Sequence, residues 1–87
     1  MRERIDKKEL VSLVSQRVNR KVGLVGEIVD TFLDEIYEAL KRGESVSLRD
    51  LGSFYVRPER ASWVLRFNPS QRLRKLFGWS STYRGEP

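Results

Sequence analysis

The sequence predicts an α+β fold, in which two N-terminal helices precede a small antiparallel β-sheet and a short C-terminal helix. Three observations support this prediction. Apolar residues recur at helical spacing in two early segments, apolar and polar residues alternate over residues 46–67, and a compact basic segment follows with helix-start residues in front of it. A chain of 87 residues corresponds to one domain, which we place at residues 1–78.

The first helix is predicted over Lys7–Val18. Asp6 and Glu9 form a D-x-x-E signal that is typical of a helix N-terminus. The apolar residues that follow at helical spacing are Leu10, Val11, Leu13, Val14 and Val18. Residues 19–21 are polar and few, so we expect the next helix to be a direct neighbour of the first.

The second helix is predicted over residues 23–41, with Gly43 as its stop. Its apolar surface is wider than the single apolar face of an ordinary amphipathic helix, so other elements must pack against it on more than one side. This surface holds Val25, Ile28, Val29, Phe32, Leu33, Ile36 and Leu40. The chain has no Cys for disulfides and no His or Cys for a structural metal, and so short a chain buries only about 60% of its unfolded surface. We therefore expect a dimer.

The sheet is predicted as a tight hairpin with an apolar and a cationic face. Residues 46–56 are expected to form one strand with a bulge or a close backbone approach at Gly52. Its apolar face holds Val46, Leu48, Phe54 and Val56, and that of the return strand holds Trp63, Leu65 and Phe67. Arg57 and Arg66 have the opposite parity, and residues 58–62 are expected to join the strands.

The last helix is predicted to begin at the sequence NPSQ. Asn68 is expected to be its N-cap, Pro69 its first helical residue and Gln71 its capping-box residue. Its apolar side would hold Leu73, Leu76 and Phe77, and its solvent-exposed side would hold Arg72, Arg74 and Lys75. Residues 79–87 are predicted to form a flexible polar tail, in which Trp79 either packs on the domain or is exposed at a binding surface.

The composition points away from catalysis and towards an anionic partner. Without His, Cys or a glycine-rich phosphate loop, the usual nucleophile, metal and cofactor sites cannot be assembled, so we expect neither an enzyme nor a cofactor. The net charge is +5, and the surplus of Lys and Arg is concentrated in residues 44–87. Twelve of the 17 basic residues are Arg, whose planar guanidinium suits phosphate. No apolar run approaches the ~20 residues of a membrane span, so we expect a cytoplasmic protein without a membrane partner or small-molecule substrate.

A family resemblance rests on the sequences GESVSLRDLGSFYVR and WVLRFNPSQRLRKL. They resemble the bacterial histone-like HU and integration host factor family, whose members share a V-x-L-x-x-x-G-x-F-x-x-R strand and an F-x-P-x-x-x-L-(K/R) start of the last helix. The matching positions are Val46, Leu48, Gly52, Phe54, Arg57, Phe67, Pro69, Leu73 and Arg74. The resemblance covers residues 6–77 and implies an intertwined homodimer that binds double-stranded DNA in the nucleoid. It also implies DNA contacts at Lys7, Arg57 and Arg74.

Charge and expected exposure add four candidate DNA contacts, namely Arg60, Arg66, Arg72 and Lys75. Members of the family extend the hairpin into a long arm whose proline wedges between base pairs, and this chain is expected to lack that arm. We therefore predict largely sequence-independent binding to the duplex backbone. The alternative is a dimeric protein-interaction module of the same fold that does not bind DNA. Its aromatic anchors would be Tyr55, Trp63, Trp79 and Tyr83.

Overall fold

A computed structural model describes residues 4–77 of the chain. Its helices and strands, in chain order, are α1 (Lys7–Val18), α2 (Val22–Lys41), β1 (Val46–Leu48), β2 (Gly52–Glu59), β3 (Ser62–Pro69) and α3 (Gln71–Leu76). This order confirms the predicted α+β architecture. The described residues fall into two compact units divided within α2, the helical unit (residues 4–35) and the sheet unit (residues 36–77). Within residues 4–77, no helix is both long enough and apolar enough to cross a membrane.

Helix α1 has the predicted bounds because local signals mark both of its ends. The Asp6 side chain accepts a hydrogen bond from the backbone N–H of Glu9 at 3.0 Å, which satisfies one of the free donors of the first turn. At the other end, Asn19 adopts the left-handed conformation with φ 58°, which Asn tolerates better than most residues. The chain then enters α2 at Val22, one residue earlier than predicted.

The helical unit buries little of its apolar surface. In the described part of the chain, the buried apolar side chains are Val11 and Val25, at 7% and 5% exposure. A Cβ atom added at Gly26 would lie 3.8 Å from Cγ1 of Val11, an ordinary van der Waals distance, so α1 and α2 pack closely there. Three large side chains that line an open groove on α2 stay exposed, namely Leu24, Ile28 and Phe32. This unit therefore leaves apolar surface that its own residues do not cover.

Within the sheet unit, α2 ends at Lys41, and Gly43 follows as the predicted stop. The backbone N–H of Gly43 donates to the carbonyl of Leu40, and that of Glu44 donates to the carbonyl of Ala39, both at 3.0 Å. Gly43 has φ 84°, which a residue with a Cβ rarely adopts. This left-handed ending satisfies carbonyls of the last turn and directs the chain into β1.

The sheet has three antiparallel strands in the order β1-β2-β3. The prediction of one interrupted strand over residues 46–56 is wrong, because a turn at residues 49–51 reverses the chain and pairs Val46 with Phe54. Gly52, just after the turn, has φ 147°, and a Cβ there would lie 2.4 Å from the backbone oxygen of Asn68. Gly52 therefore marks a close approach between β2 and β3, one of the two predicted possibilities.

The hairpin of β2 and β3 closes more tightly than predicted. Pro58 pairs with Trp63 and Glu59 pairs with Ser62, so most of the expected linker belongs to the strands. The turn itself consists of Arg60 and Ala61.

One face of the sheet is apolar, as predicted, and is called the inner face. Directly paired residues share a face, which puts Val46, Phe54, Val56, Trp63, Leu65 and Phe67 together here. The rings of Phe54 and Phe67 pack with centroids 4.8 Å apart. Trp63 is nevertheless 69% exposed and Leu65 59% exposed, although both were predicted to be core. The inner face is thus only partly covered within a single chain.

Helix α3 is capped by Ser70, so the predicted cap at Asn68 is wrong. The Ser70 hydroxyl oxygen accepts from the backbone N–H of Leu73 at 3.1 Å and donates to the carbonyl of Asp50 at 2.9 Å. Asn68 and Pro69 still belong to β3, because the ladder runs on to the pairing of Pro69 with Gly52. Gln71 accordingly begins the helix. The predictions for Trp79, Tyr83 and the tail of residues 79–87 lie outside the described residues.

Candidate nucleic-acid interface

The second face of the sheet, called the outer face, carries the predicted cationic residues. Its members alternate with those of the inner face and are Ser53, Tyr55, Arg57, Glu59, Ser62, Val64, Arg66 and Asn68. Tyr55 lies opposite Arg66, and Arg57 lies opposite Val64. The two arginines that the sequence assigned to one face therefore share it, and the β2–β3 ladder holds them there.

Arg57 and Arg60 are the open cations at the end of the hairpin. Both are exposed, and neither forms a hydrogen bond or ion pair with any residue in the range 4–77. Arg60 occupies the turn with φ 53°, while Arg57 lies three residues before it in β2. Both guanidinium groups can therefore meet an anion without first breaking an internal contact.

Arg66 was predicted to be exposed, and this prediction is wrong. Its side chain is only 15% exposed, and its Nη2 atom donates to Oε2 of Glu59 at 2.9 Å. The carboxylate of Glu59 draws the guanidinium along the outer face, where the apolar stem lies against the sheet. Sequence reasoning missed Glu59, although its parity with Arg57 along β2 would have placed it on this face.

The cations of α3 have three different environments. Arg72 is exposed, with Nη1 3.6 Å from Oδ2 of Asp50. Arg74 is half-buried and donates from Nη2 to the side-chain oxygen of Asn68 at 3.1 Å. Lys75 is exposed. Arg72 and Lys75 thus match their predicted exposure, while Arg74 is fixed against the end of β3.

A polar groove joins the start of α3 to the turn between β1 and β2. Its lining includes Ser47, Arg49, Asp50, Ser53, Asn68 and Arg72. Arg49 is exposed in that turn, and sequence reasoning missed it because the residue was assigned to a strand. The groove combines hydroxyl groups and two guanidinium groups with one carboxylate, which suits the backbone of a nucleic acid better than a neutral small molecule.

Lys7 is the one predicted contact in the helical unit. It is the first residue of α1, and its Nζ atom forms an ion pair with the carboxylate of Asp30 on α2. Both side chains are about half exposed, at 54% and 56%. The charge of Lys7 is therefore already partly balanced before any ligand arrives. Over the described range, no group of three or more His, Cys, Asp or Glu residues is placed to hold a metal ion.

Known proteins resemble both the sequence and the fold. Residues 5–66 match the family described as bacterial DNA-binding protein. The integration host factor subunit alpha of Bordetella avium is 37% identical over 86 aligned positions, which cover 80% of this chain and 74% of the relative. The DNA-binding protein HU of Thermotoga maritima is 45% identical over 51 positions, covering 59% of this chain and 57% of the relative.

A solved structure of HU from Thermotoga maritima matches with a TM-score of 0.72 and 36% identity. The match covers 84% of this chain and 98% of the solved HU chain. The matched family segment takes in α1, α2, β1, β2 and β3 as far as Arg66. It therefore includes the hairpin that carries Arg57 and Arg60, and it ends before α3.

Proposed function

The chain belongs to the family of bacterial DNA-binding proteins that includes HU and integration host factor, and on that premise we propose that it binds duplex DNA as a homodimer, chiefly through the β2–β3 hairpin that carries Arg57 and Arg60. The contacts are made to phosphates and depend little on base sequence. The contacting side chains are Lys7, Arg49, Arg57, Arg60, Arg72, Arg74 and Lys75. The family is one of DNA-binding proteins, and the proposal assigns no catalytic activity to the chain.

The observation that carries this proposal is the pair of open cations, Arg57 and Arg60. Each guanidinium that meets a phosphate releases a condensed counterion, which is the main source of non-specific affinity for DNA. The planar group can also donate hydrogen bonds to two phosphate oxygens at once. Because neither side chain has a partner in the described range, neither contact requires an internal ion pair to be broken.

The two-residue turn supports binding without an intercalating arm. Arg60 and Ala61 alone connect β2 to β3, so this turn contains no proline that could act as a wedge. The alignment with the Bordetella avium relative has 86 positions yet covers 80% of an 87-residue chain, so the relative has residues that this chain lacks. We propose that this protein contacts the duplex surface and does not kink it by intercalation.

The homodimer is supported by the apolar surface that one chain leaves uncovered. Ile28 on α2 and Trp63 on the inner face are both more than half exposed. A second copy would bury such surface at a gain of about 25 cal/mol per Å². The alternative, a protein-interaction module that does not bind DNA, rests on the same exposed Trp63, and the family does not favour it. A DNA-bound protein of this kind belongs in the nucleoid, within the cytoplasm.

Binding to a labelled duplex, measured by fluorescence anisotropy at several salt concentrations, tests the proposal. We expect saturable binding in the range of about 10⁻⁴ to 10⁻⁶ M at physiological salt, with log affinity falling linearly with log salt. Arg57→Ala and Arg60→Ala should each weaken binding equally for unrelated sequences and reduce the slope by up to about 1.8, because each substitution removes one guanidinium from both subunits of the homodimer. Arg42→Ala is the matched control, because Arg42 is paired with Glu44 at the end of α2.

The outcomes separate the parts of the proposal. A parent protein that stays dimeric but does not bind DNA at low salt would refute DNA binding and favour the protein-interaction module. Binding that neither hairpin variant weakens would show that the outer face is the wrong site. Sedimentation velocity in the same buffers measures whether the protein is dimeric.

A further inference from the structure

Ser70 joins the start of α3 to the turn between β1 and β2. Its backbone N–H donates to the carbonyl of Leu51 at 3.0 Å, and its hydroxyl group donates to the carbonyl of Asp50 at 2.9 Å. The same hydroxyl oxygen accepts from the backbone N–H of Leu73 at 3.1 Å. One short side chain therefore caps the helix and also holds the neighbouring turn.

The turn and the helix that Ser70 joins each carry an arginine that lines the polar groove. Arg49 is exposed in the turn and forms no hydrogen bond or ion pair with any residue in the range 4–77. Arg72 lies in the first turn of α3, and its Nη1 atom is 3.6 Å from Oδ2 of Asp50. The relative placement of the two guanidinium groups thus depends on how the turn and the helix are held together.

We propose that Ser70 is a positioning residue for phosphate binding, because it holds Arg49 and Arg72 on one groove where both can contact the same stretch of DNA backbone. The contacts with the anion are made by the two guanidinium groups, and Ser70 acts through them. This inference rests on the proposed function, in which both arginines contact phosphates. It adds the residue that brings these two contacts together.

The hydrogen bonds of Ser70 are the shielded part of the link between the turn and α3. Arg49 directly precedes Asp50, whose carbonyl accepts from the Ser70 hydroxyl group. The ion pair of Asp50 with Arg72 also spans the groove, but its side chains are 67% and 76% exposed, so water and salt screen it. Cations that are fixed before binding lose less conformational entropy when a phosphate arrives. Loss of the Ser70 hydroxyl group should therefore weaken contacts that it does not itself make.

The salt dependence of binding separates a positioning role from a direct contact. The slope of log affinity against log salt counts the phosphates that cations neutralise, so deleting a neutral hydroxyl group changes it only if cations withdraw from the DNA. Ser70→Ala should lower the slope by on the order of one in the homodimer, which has two such grooves, and should weaken binding about threefold or more at 50 mM salt. Arg49→Ala, which removes a cation from each subunit, should lower the slope by up to about 1.8.

Ser70→Gly separates positioning from helix capping. Glycine keeps the backbone hydrogen bond to Leu51 and caps a helix much better than alanine, but it lacks the hydroxyl group that reaches Asp50. Positioning predicts a similar loss of slope for Ser70→Gly and Ser70→Ala. Capping alone predicts that Ser70→Ala lowers the melting temperature more and that neither variant changes the slope. Ser70→Thr retains the hydroxyl group and should keep the parent slope.

Ser47→Ala is the matched control. Ser47 lines the same groove, and its hydroxyl group contacts that of Ser53 at 3.4 Å, so the substitution deletes the same chemical group without releasing the turn from α3. Its slope should equal that of the parent. In a double-mutant cycle, Arg49→Ala should change the slope less in the Ser70→Ala background than in the parent. Circular dichroism melting and sedimentation velocity verify the fold and the dimer for each variant.

Each result supports or overturns the inference. A parent slope in both Ser70→Ala and Ser70→Gly refutes it, as does an effect of Arg49→Ala that is equal in both backgrounds. A slope for Ser70→Thr as low as that for Ser70→Ala also refutes it, because the hydroxyl group would then not be responsible. If Arg57→Ala lowers the slope in the same series while the Ser70 variants do not, only this inference fails. If the parent dimer does not bind the duplex at low salt, the proposed function fails and the positioning role with it.

Discussion

The helical unit and the sheet unit expose different kinds of unsatisfied surface. In the helical unit the large exposed side chains are apolar, Ile28 and Phe32 among them, and Lys7 is already paired with Asp30. In the sheet unit the outer face exposes Arg57 and Arg60 without partners in the described range. Exposed apolar area is buried by contact with another protein surface, whereas an exposed guanidinium is neutralised by binding an anion. Assembly is therefore expected at the apolar surface of α2 and at the inner face of the sheet, where Trp63 is 69% exposed, and anion binding at the hairpin that carries Arg57 and Arg60.

The largest expected effect comes from placing a charge on the apolar surface of the helical unit. Ile28→Asp would put a carboxylate where the proposed homodimer buries a side chain that is 58% exposed in the single chain. A buried carboxylate without a partner costs several kcal/mol, so we expect the dimer to dissociate and the free energy of unfolding to fall by about 3–5 kcal/mol. Analytical ultracentrifugation and urea unfolding at two protein concentrations measure both changes.

Ser12→Asp is the control for that change. Ser12 is an exposed polar residue of α1, and its replacement alters the net charge by the same amount in the same unit. It should leave the dimer intact. A dimer that survives Ile28→Asp as well would show that this part of α2 stays open to solvent, and the assembly role of the helical unit would be wrong.

Glycine substitutions contrast the backbone packing of the two units. At Gly52 in the sheet unit, an added Cβ would lie 2.4 Å from a backbone oxygen, with φ at 147°. Gly52→Ala should therefore lower the free energy of unfolding by roughly 3 kcal/mol or more, through strain and overpacking. At Gly26 in the helical unit the nearest atom is 3.8 Å away, so Gly26→Ala should stabilise by about 0.5–1 kcal/mol. Denaturant unfolding compares the two, and equal effects would contradict the close approach of β2 and β3.

The features that could be predicted from the sequence also differ between the two units. The bounds of α1 could be predicted because Asp6 acts within its own turn. The turn between β1 and β2 could not, because Val46 and Phe54 share a face whether they lie on one continuous strand or pair across two. Residue parity is the same in both cases, and only the turn geometry distinguishes them.

Long-range pairing also explains the other errors. Asn68 is a good cap by composition, but its ladder pairing with Ser53 keeps it extended and leaves the cap to Ser70. The exposure of Arg57 and Arg60 followed from alternation and turn position alone. The burial of Arg66 did not, because it depends on the carboxylate of Glu59 at the far end of the ladder.

The ion pair between Lys7 and Asp30 is expected to oppose a phosphate contact in the helical unit. Asp30→Asn deletes this carboxylate, so a phosphate would no longer compete with it for Lys7. We expect DNA affinity to rise a few-fold at low salt and the salt slope to steepen by up to about 1.8, because Lys7 is present in both subunits of the homodimer. Stability should change by less than about 1 kcal/mol, since exposed ion pairs contribute little. Asp34→Asn, which removes an exposed carboxylate from the same helix, is the control. Equal slopes in all three proteins would show that Asp30 does not compete with DNA for Lys7.

The smallest expected effect is at the exposed ion pair of Arg42 and Glu44, which follows the end of α2. A hydrogen bond from the Arg42 side chain, and then its charge, hold the pKa of Glu44 below its ordinary value of 4.5. Because the folded-state pKa is lowered, the pair stabilises the fold above the ordinary pKa, and this contribution is lost as pH falls through the folded value. Since both side chains are more than half exposed, water and salt screen the attraction.

NMR titration of Glu44 should give a pKa below 4.5 at low salt, and Arg42→Gln should return it to the ordinary value. Titration of Glu44 at its ordinary pKa in the parent would show that the exposed pair is not formed in solution, whereas the shielded pair of Arg66 and Glu59 should persist at salt concentrations that abolish this shift.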